Sequence, residues 1–244
     1  MSLIIKEVKS WYNRTLFINL PAKIHKNHKN WVPPIYMDDR QFFNPNKNEL
    51  FAHSDTILLI AQKNNRTIGR IMGIINHEYN RDHDVKEGRF CFIETFNDKE
   101  VAHSLIKYVE DWARNKGMDT MVGPLGFSEK DPQGLLIEGF NEPIVIATNC
   151  SFPYMIDLVE SAGYSKKVDL VNYRLDIPQE IPEFYQKIYE RALNNNKGTH
   201  MVHFTNRKQI IPSVRPVFKL VNETYKNIYG FTPLTNKEMD EFAN

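Results

Sequence analysis

The stretch from Arg89 to Leu125 constrains the fold more than any other part of the chain. It reads "RFCFIETF", then "NDKEVAHSLIKYVEDWARNKGM", then "DTMVGPL". The first piece is a dense apolar run of strand length. In the second, Val101, Leu105, Ile106, Val109, Trp112 and Ala113 recur on one helical face. Lys116 suits the negative end of that helix, and Gly117 can take the left-handed stop. Asn97 or Asp98 can accept a hydrogen bond from the first-turn amides, and Glu100 lies three residues after Asn97, the spacing of a capping box. The third piece is apolar again. A strand, a helix and a strand in direct succession require a right-handed crossover, and therefore two parallel strands.

The rest of the chain arranges itself around this unit. "IIKEVKS" alternates and reads as an edge strand. Trp11 to His25 carries helical spacing, with Pro21 ending or kinking it. A long Pro- and Asn-rich loop follows. "TILLIAQ" and "IGRIMGIIN" flank the turn "KNNRT" and read as a hairpin. "HEYNRDHDVKEG" is a polar connection; His77, Glu78, Asp82, His83 and Asp84 show no recognised ligand spacing there and read as solvated. Beyond the crossover come a Gly-rich segment from Gly123 to Pro143, an apolar strand from Ile144 to Asn149, a short helix from Tyr154 and a final strand, "YSKKVDLVNYRLDI". Pro178 and Pro182 mark a boundary. A helix from Phe184, a strand at "MVHFTNRK", a helix and a last helix capped by Thr235 follow. The expected division is a first domain over 1–177, a helical linker over 178–199, and the beginning of a second, incomplete unit over 200–244. The fold class is α/β (α+β), a central mixed sheet flanked by helices.

Composition excludes several functions. Across 244 residues the formal net charge is +1, so no global field draws nucleic acid or anionic membrane. The longest apolar runs are far too short to cross a bilayer, and the N-terminus lacks the pattern of a signal peptide. A cytoplasmic location without membrane or nucleic-acid partners is the expectation. Cys91 and Cys150 sit in apolar surroundings and read as small core residues; two cysteines make no zinc site, and no metal is expected. "HKNHKNW", His25 to Trp31, reads as a surface loop anchored by Trp31.

The element order, together with "LFINLPAKIHKNHKNWVPPIYMDDRQFFNPNKN", "GPLGFSEKDPQGLLIEGF" and "NETYKNIYGFTPLTNKEMDEF", resembles the acyl-CoA-dependent N-acyltransferase (GNAT) fold, and within it a bacterial family of tandem GNAT-like proteins. The resemblance implies acetyl-CoA or another acyl-CoA as donor and a small-molecule amine as acceptor. The thioester would lie between two splayed parallel strands, with its diphosphate on the N-terminus of the following helix. By this correspondence Glu94 is the general base, and Thr95, Phe96 and Asn97 form the acyl-CoA turn. That turn lacks the family's glycines, and Asp98 and Glu100 put negative charge where a diphosphate would sit. Val159 stands where the family usually has an acidic tyrosine that protonates the thiolate. Ser128, Glu129, Asp131, Asn149 and Tyr154 are the expected substrate-side residues. The bland alternatives are a solvent-face charge for Glu94, a structural flap for the Gly-rich loop and ring packing for Tyr154. Two functions follow: an N-acyltransferase with a degenerate CoA loop, or a catalytically silent GNAT-fold module that binds a small molecule or a protein partner.

Overall fold

The computed structural model describes residues 2–145, 148–195 and 202–242. Its strands are β1 (Ile4–Glu7), β2 (Ser54–Lys63), β3 (Arg66–Asn76), β4 (Glu87–Thr95) and β5 (Thr120–Val122). Its helices are α1 (Trp11–Ile24), α2 (Tyr36–Phe42), α3 (His77–His83), α4 (Lys99–Asn115), α5 (Tyr154–Glu160), α6 (Glu183–Asn194), α7 (Arg207–Tyr225) and α8 (Asn236–Phe242). The strands form one mixed sheet in the order β1-β2-β3-β4-β5. The first three pairings are antiparallel, and β4 pairs with β5 in parallel. The hairpin and the crossover between two parallel strands expected from the sequence are both present.

The unbroken apolar runs of β2 and β3 are explained by helices on both faces. Ile57, Leu59, Ala61, Ile71, Phe90 and Ile93 pack against α4 and α5. Leu58, Ile60, Met72, Ile74 and Cys91 pack against Phe17 and Ile18 of α1, with Phe43 and Phe127. Close approach of α4 depends on two glycines in β3. A Cβ on Gly69 would lie 2.7 Å from Val101 Cγ1, and one on Gly73 would lie 2.7 Å from Val109 Cγ1.

Helix α1 runs through Pro21. Proline cannot donate to the carbonyl four residues earlier, which is that of Phe17. The buried guanidinium of Arg70 takes that place, donating from Nη1 to Phe17 O at 3.0 Å. The helix end therefore stays intact, and its exit is held against β3. Helix α4 starts one residue later than the box spacing suggests. Asp98 is the cap and accepts from Val101 N–H at 3.2 Å, so Glu100 does not occupy the box position.

Some local expectations differ from the structure, and one falls partly outside the described residues. The polar connection after β3 is helix α3, begun by Asn76, whose side chain accepts from Tyr79 N–H. The segment from Tyr164 to Ile177 forms no strand; its alternating apolar residues, such as Leu175 and Ile177, are exposed, because alternation makes a strand only where an edge offers a ladder. The strand expected at Ile144–Asn149 includes residues 146 and 147, outside the described set; Thr148 makes an isolated parallel bridge to Gln133.

The chain divides into two compact units, 1–169 with 227–232, and 170–226 with 233–244. In the second unit the Asn222 side chain bonds both Leu234 N–H and Leu234 O at 2.9 Å. Thr235 and Glu238 cap one another reciprocally, which starts α8.

Candidate functional site

Strand β4 outlasts its parallel partner. The β4–β5 ladder covers only Glu87–Arg89, and Leu125 N–H donates to Phe90 O just beyond it. Cys91 to Thr95 continue past that point with no ladder to β5, which ends at Val122; this is where a splay between the two strands would lie.

A bulge sets which side chains enter this region. Met72 pairs with Cys91 and Arg70 with Glu94, so Phe92 and Ile93 together oppose Ile71. Phe92 has φ +49°, a conformation costly for a bulky residue and therefore imposed by its surroundings. Strict alternation from Cys91 would put Ile93 on the α1 face. The extra residue sends Ile93 to the α4 core and turns Glu94 toward α1.

There Glu94 meets His25. The histidine caps the C-terminus of α1, its N–H donating to Pro21 O at 2.7 Å. Two further turns follow, with His28 N–H on His25 O at 2.9 Å and Trp31 N–H on His28 O at 3.1 Å. This three-residue rhythm brings the rings of His25, His28 and Trp31 to one side. His25 lies 5.4 Å from the Trp31 ring and 5.0 Å from the Phe152 ring, nearly parallel to both. His28 lies 4.4 Å from Phe152.

His25 Nε2 lies 3.1 Å from Glu94 Oε2, and its Nδ1 lies 2.9 Å from His28 Nδ1. A carboxylate can only accept, so Nε2 of His25 donates to Glu94; the tautomer with Nδ1 bare would accept there from His28. Cys150 Sγ lies 3.7 Å from His28 Nδ1. Arg70 stands directly across the ladder from Glu94. Burial and the neighbouring His25 lower the His28 pKa. Burial, then the charge of Glu94, pushes the Cys150 thiol up to about 11 and the Tyr154 phenol up to about 12.

The expected site residues do not gather in one place. Glu94, Thr95 and Tyr154 converge at the end of β4 that outlasts β5, where Tyr154 donates its hydroxyl to Thr95 O at 2.8 Å. Phe96 and Asn97 are exposed in the turn that leads to α4. Ser128, Glu129 and Asp131 gather toward the Arg89 end of β4, about 15 Å along the strand at the usual rise. Asp131 accepts from Phe127 N–H at 2.7 Å, and Ser128 Oγ accepts from Lys130 N–H at 3.3 Å. Asn149 donates to Gly134 O at 2.7 Å and ties the Gly-rich loop to the segment before α5. His25, His28 and Cys150 are the members that reading along the sequence missed. The histidines' spacing of three was visible, but Cys150 lies 122 positions from His28, and no local pattern links them.

At the start of α4, Lys63 lies 3.8 Å from Asp98 and 3.2 Å from Glu100. The acids that would repel a diphosphate are thus partly offset, but the Asp98 carboxylate already takes the Val101 amide. No helix among the described residues is long and apolar enough to cross a membrane.

Comparison with known proteins matches residues 7–124 to the Acetyltransferase (GNAT) family. A bacterial ceramide synthase of Caulobacter vibrioides is 29% identical over 228 residues, which is 93% of this chain and 59% of that protein. Protein YghO of Escherichia coli is 23% identical over 222 residues, 91% of this chain and 56% of that protein. The chain thus spans well under two thirds of the length of these curated relatives. Among solved structures, glucosamine-6-phosphate N-acetyltransferase from Arabidopsis thaliana aligns with a TM-score of 0.45 at 12% identity, over 72% of this chain and 100% of that one. The match to the GNAT family model thus takes in a little under half of the chain.

Proposed function

We propose that the first unit is an N-acyltransferase site in which Glu94 is the general base. The observation that carries this reading is the bulge at Phe92. It turns the Glu94 side chain toward α1, beside the end of β4 that has no β5 partner, and onto the buried ring of His25. A carboxylate fixed in one rotamer at a strand gap can take the proton of an attacking amine. Hydrogen-bonded to His25 and opposite Arg70, it is oriented before the acceptor arrives. Tyr154 closes the far side, with its hydroxyl on Thr95 O.

An acyl-CoA fits this unit only in part. A splay there would suit the extended arm that bears a thioester. The start of α4 does not suit a diphosphate, since it has no glycine and Asp98 occupies a first-turn amide. No step is therefore assigned to the nucleotide end of the donor. For the acceptor, the Caulobacter relative is named for making ceramide, an N-acylated long-chain amine. With 93% of this chain aligned to it, a long-chain amine is the acceptor we favour over a small polar one. The closed α4 terminus supports a second reading, a silent GNAT-fold module that binds a small molecule or a protein partner.

The test supplies acetyl-CoA and long-chain acyl-CoAs with a long-chain amine. Thiol release and the amide product are followed. Turnover that falls 10²- to 10⁴-fold in Glu94→Gln supports the base assignment. A ligand at 100 times its dissociation constant adds about 2.7 kcal/mol of stability. The absence of both turnover and thermal shift at millimolar acyl-CoA would favour the silent module.

A further inference from the structure

The corner beside Glu94 holds more than an acid and its partner. His25, His28 and Cys150 each offer one ligand atom, and the three atoms lie within 4.8 Å of one another. We propose that these residues form a binding site for a divalent transition metal, with zinc as the fitting ion and Glu94 as the outer carboxylate that orients His25.

The donor set argues for zinc. Two imidazoles and a thiolate suit a borderline-soft ion, whereas calcium and magnesium take oxygen ligands. Tetrahedral zinc, at about 2.0–2.1 Å from nitrogen and about 2.3 Å from sulfur, sets its N···S edges near ~3.6 Å and its N···N edge near ~3.4 Å. Cys150 Sγ to His28 Nδ1 is 3.7 Å. The His25–His28 separation is 2.9 Å, so an ion opens this pair by about half an ångström and draws the thiol toward His25. The outer contact argues in the same direction. Histidines that bind metals donate their other ring N–H to a carboxylate or carbonyl, which fixes the ligating nitrogen. His25 does this to Glu94 at 3.1 Å, leaving Nδ1 aimed at the other two residues. His25 is buried, and the aromatic rings of Trp31 and Phe152 hold it in place. Three protein ligands leave the fourth position of a tetrahedron free. Among the described residues, the histidine–acid pairs around α3, His53 with Glu78 and His77 with Asp55, join no third ligand within reach of one ion. This inference stands apart from acyl transfer, because it is read by binding and not by turnover.

The chain, treated with a chelator and dialysed under reducing conditions, is titrated with cobalt(II) as a spectroscopic stand-in and then with zinc. One equivalent should bind, with a sulfur-to-cobalt charge-transfer band that zinc abolishes. Cys150→Ser should lose the band. Glu94→Gln should keep it while weakening zinc binding 10- to 100-fold. His103→Gln, on the exposed face of α4, should bind as the parent does. Far-UV circular dichroism accompanies each variant. Should Cys150→Ser fail to fold, His28→Gln takes its place, with loss of at least tenfold in affinity expected. No stoichiometric binding, or a band that survives Cys150→Ser, would overturn the site and leave a metal-free histidine pair. Either result leaves the acyl-transfer assay to be judged separately.

Discussion

Strand β4 carries a buried acid–base pair at each end, and the two differ. At the start, Glu87 and Arg89 lie 3.0 Å apart with side chains 8% and 1% exposed. Arg89 also donates to Phe127 O at 3.0 Å and lies over the Tyr79 ring. At the end, Glu94 meets His25 with 18% of its side chain exposed. The first pair is enclosed by chain on every side and ties the Gly-rich loop to the sheet. The second lies where β4 has outlasted β5. The same chemistry is enclosed where β5 and its loop cover it, and is left partly exposed where β5 has ended.

The largest test of this contrast is Arg89→Ala. It leaves Glu87 buried and deprived of its main partner, and should cost about 3–5 kcal/mol in urea denaturation. Lys167, 3.6 Å from Glu87, can recover part of this. A loss below 1 kcal/mol would show that the enclosed end is not structural.

Glu94→Gln is the matching change at the open end. Glutamine can still accept from His25 Nε2, so stability should move by less than about 1 kcal/mol while kcat/KM falls 10²- to 10⁴-fold. A large loss of stability with turnover intact would reverse the assignments of the two ends.

Asp131 sharpens the enclosed end through pH. Burial raises its carboxyl to about 6, against the opposing donors Phe127 N–H and Ser128 N–H. The folded state therefore holds this proton more tightly than the unfolded state, and ionisation destabilises. The contribution is absent below about pH 4, grows as pH rises to about 6, and is complete above that at about 3 kcal/mol at most. Asp131→Asn should gain on the parent by up to that amount between pH 4 and pH 7 in paired denaturation curves.

The smallest effect is expected from Lys63→Ala beside α4. The ion pairs with Asp98 and Glu100 are partly exposed, so the melting curve should register less than about 1 kcal/mol. If the same change weakens acyl-CoA binding tenfold, the α4 terminus holds a diphosphate after all.

Much of the scaffold was legible because its signals are local. The apolar stripe of α4, the hairpin turn at Asn64 and Asn65, and the Thr235 cap each draw on neighbours within a few residues. Where competing local signals existed, the structure chose between them. Asp98 prevailed over Asn97 as cap, and Asn76 started a helix in a segment that read as a polar loop. The strand expected near Val171 failed because alternation describes a face and supplies no partner edge.

The site was only half legible. Glu94 was a candidate only through the resemblance of its strand to one of the GNAT fold. Its direction could not be read, because the bulge depends on how β4 registers against β3. His25 and His28 read as surface residues, since nothing nearby in sequence says that α1 ends against the tip of β4. What the sequence by itself determined is the crossover of strand, helix and strand and the faces that must be covered, because hydrophobic period and capping act over single turns. What only the tertiary structure decided is the meeting of His25, His28, Glu94 and Cys150. That depends on a one-residue bulge and on two loop exits packing together, both properties of contacts far apart along the chain.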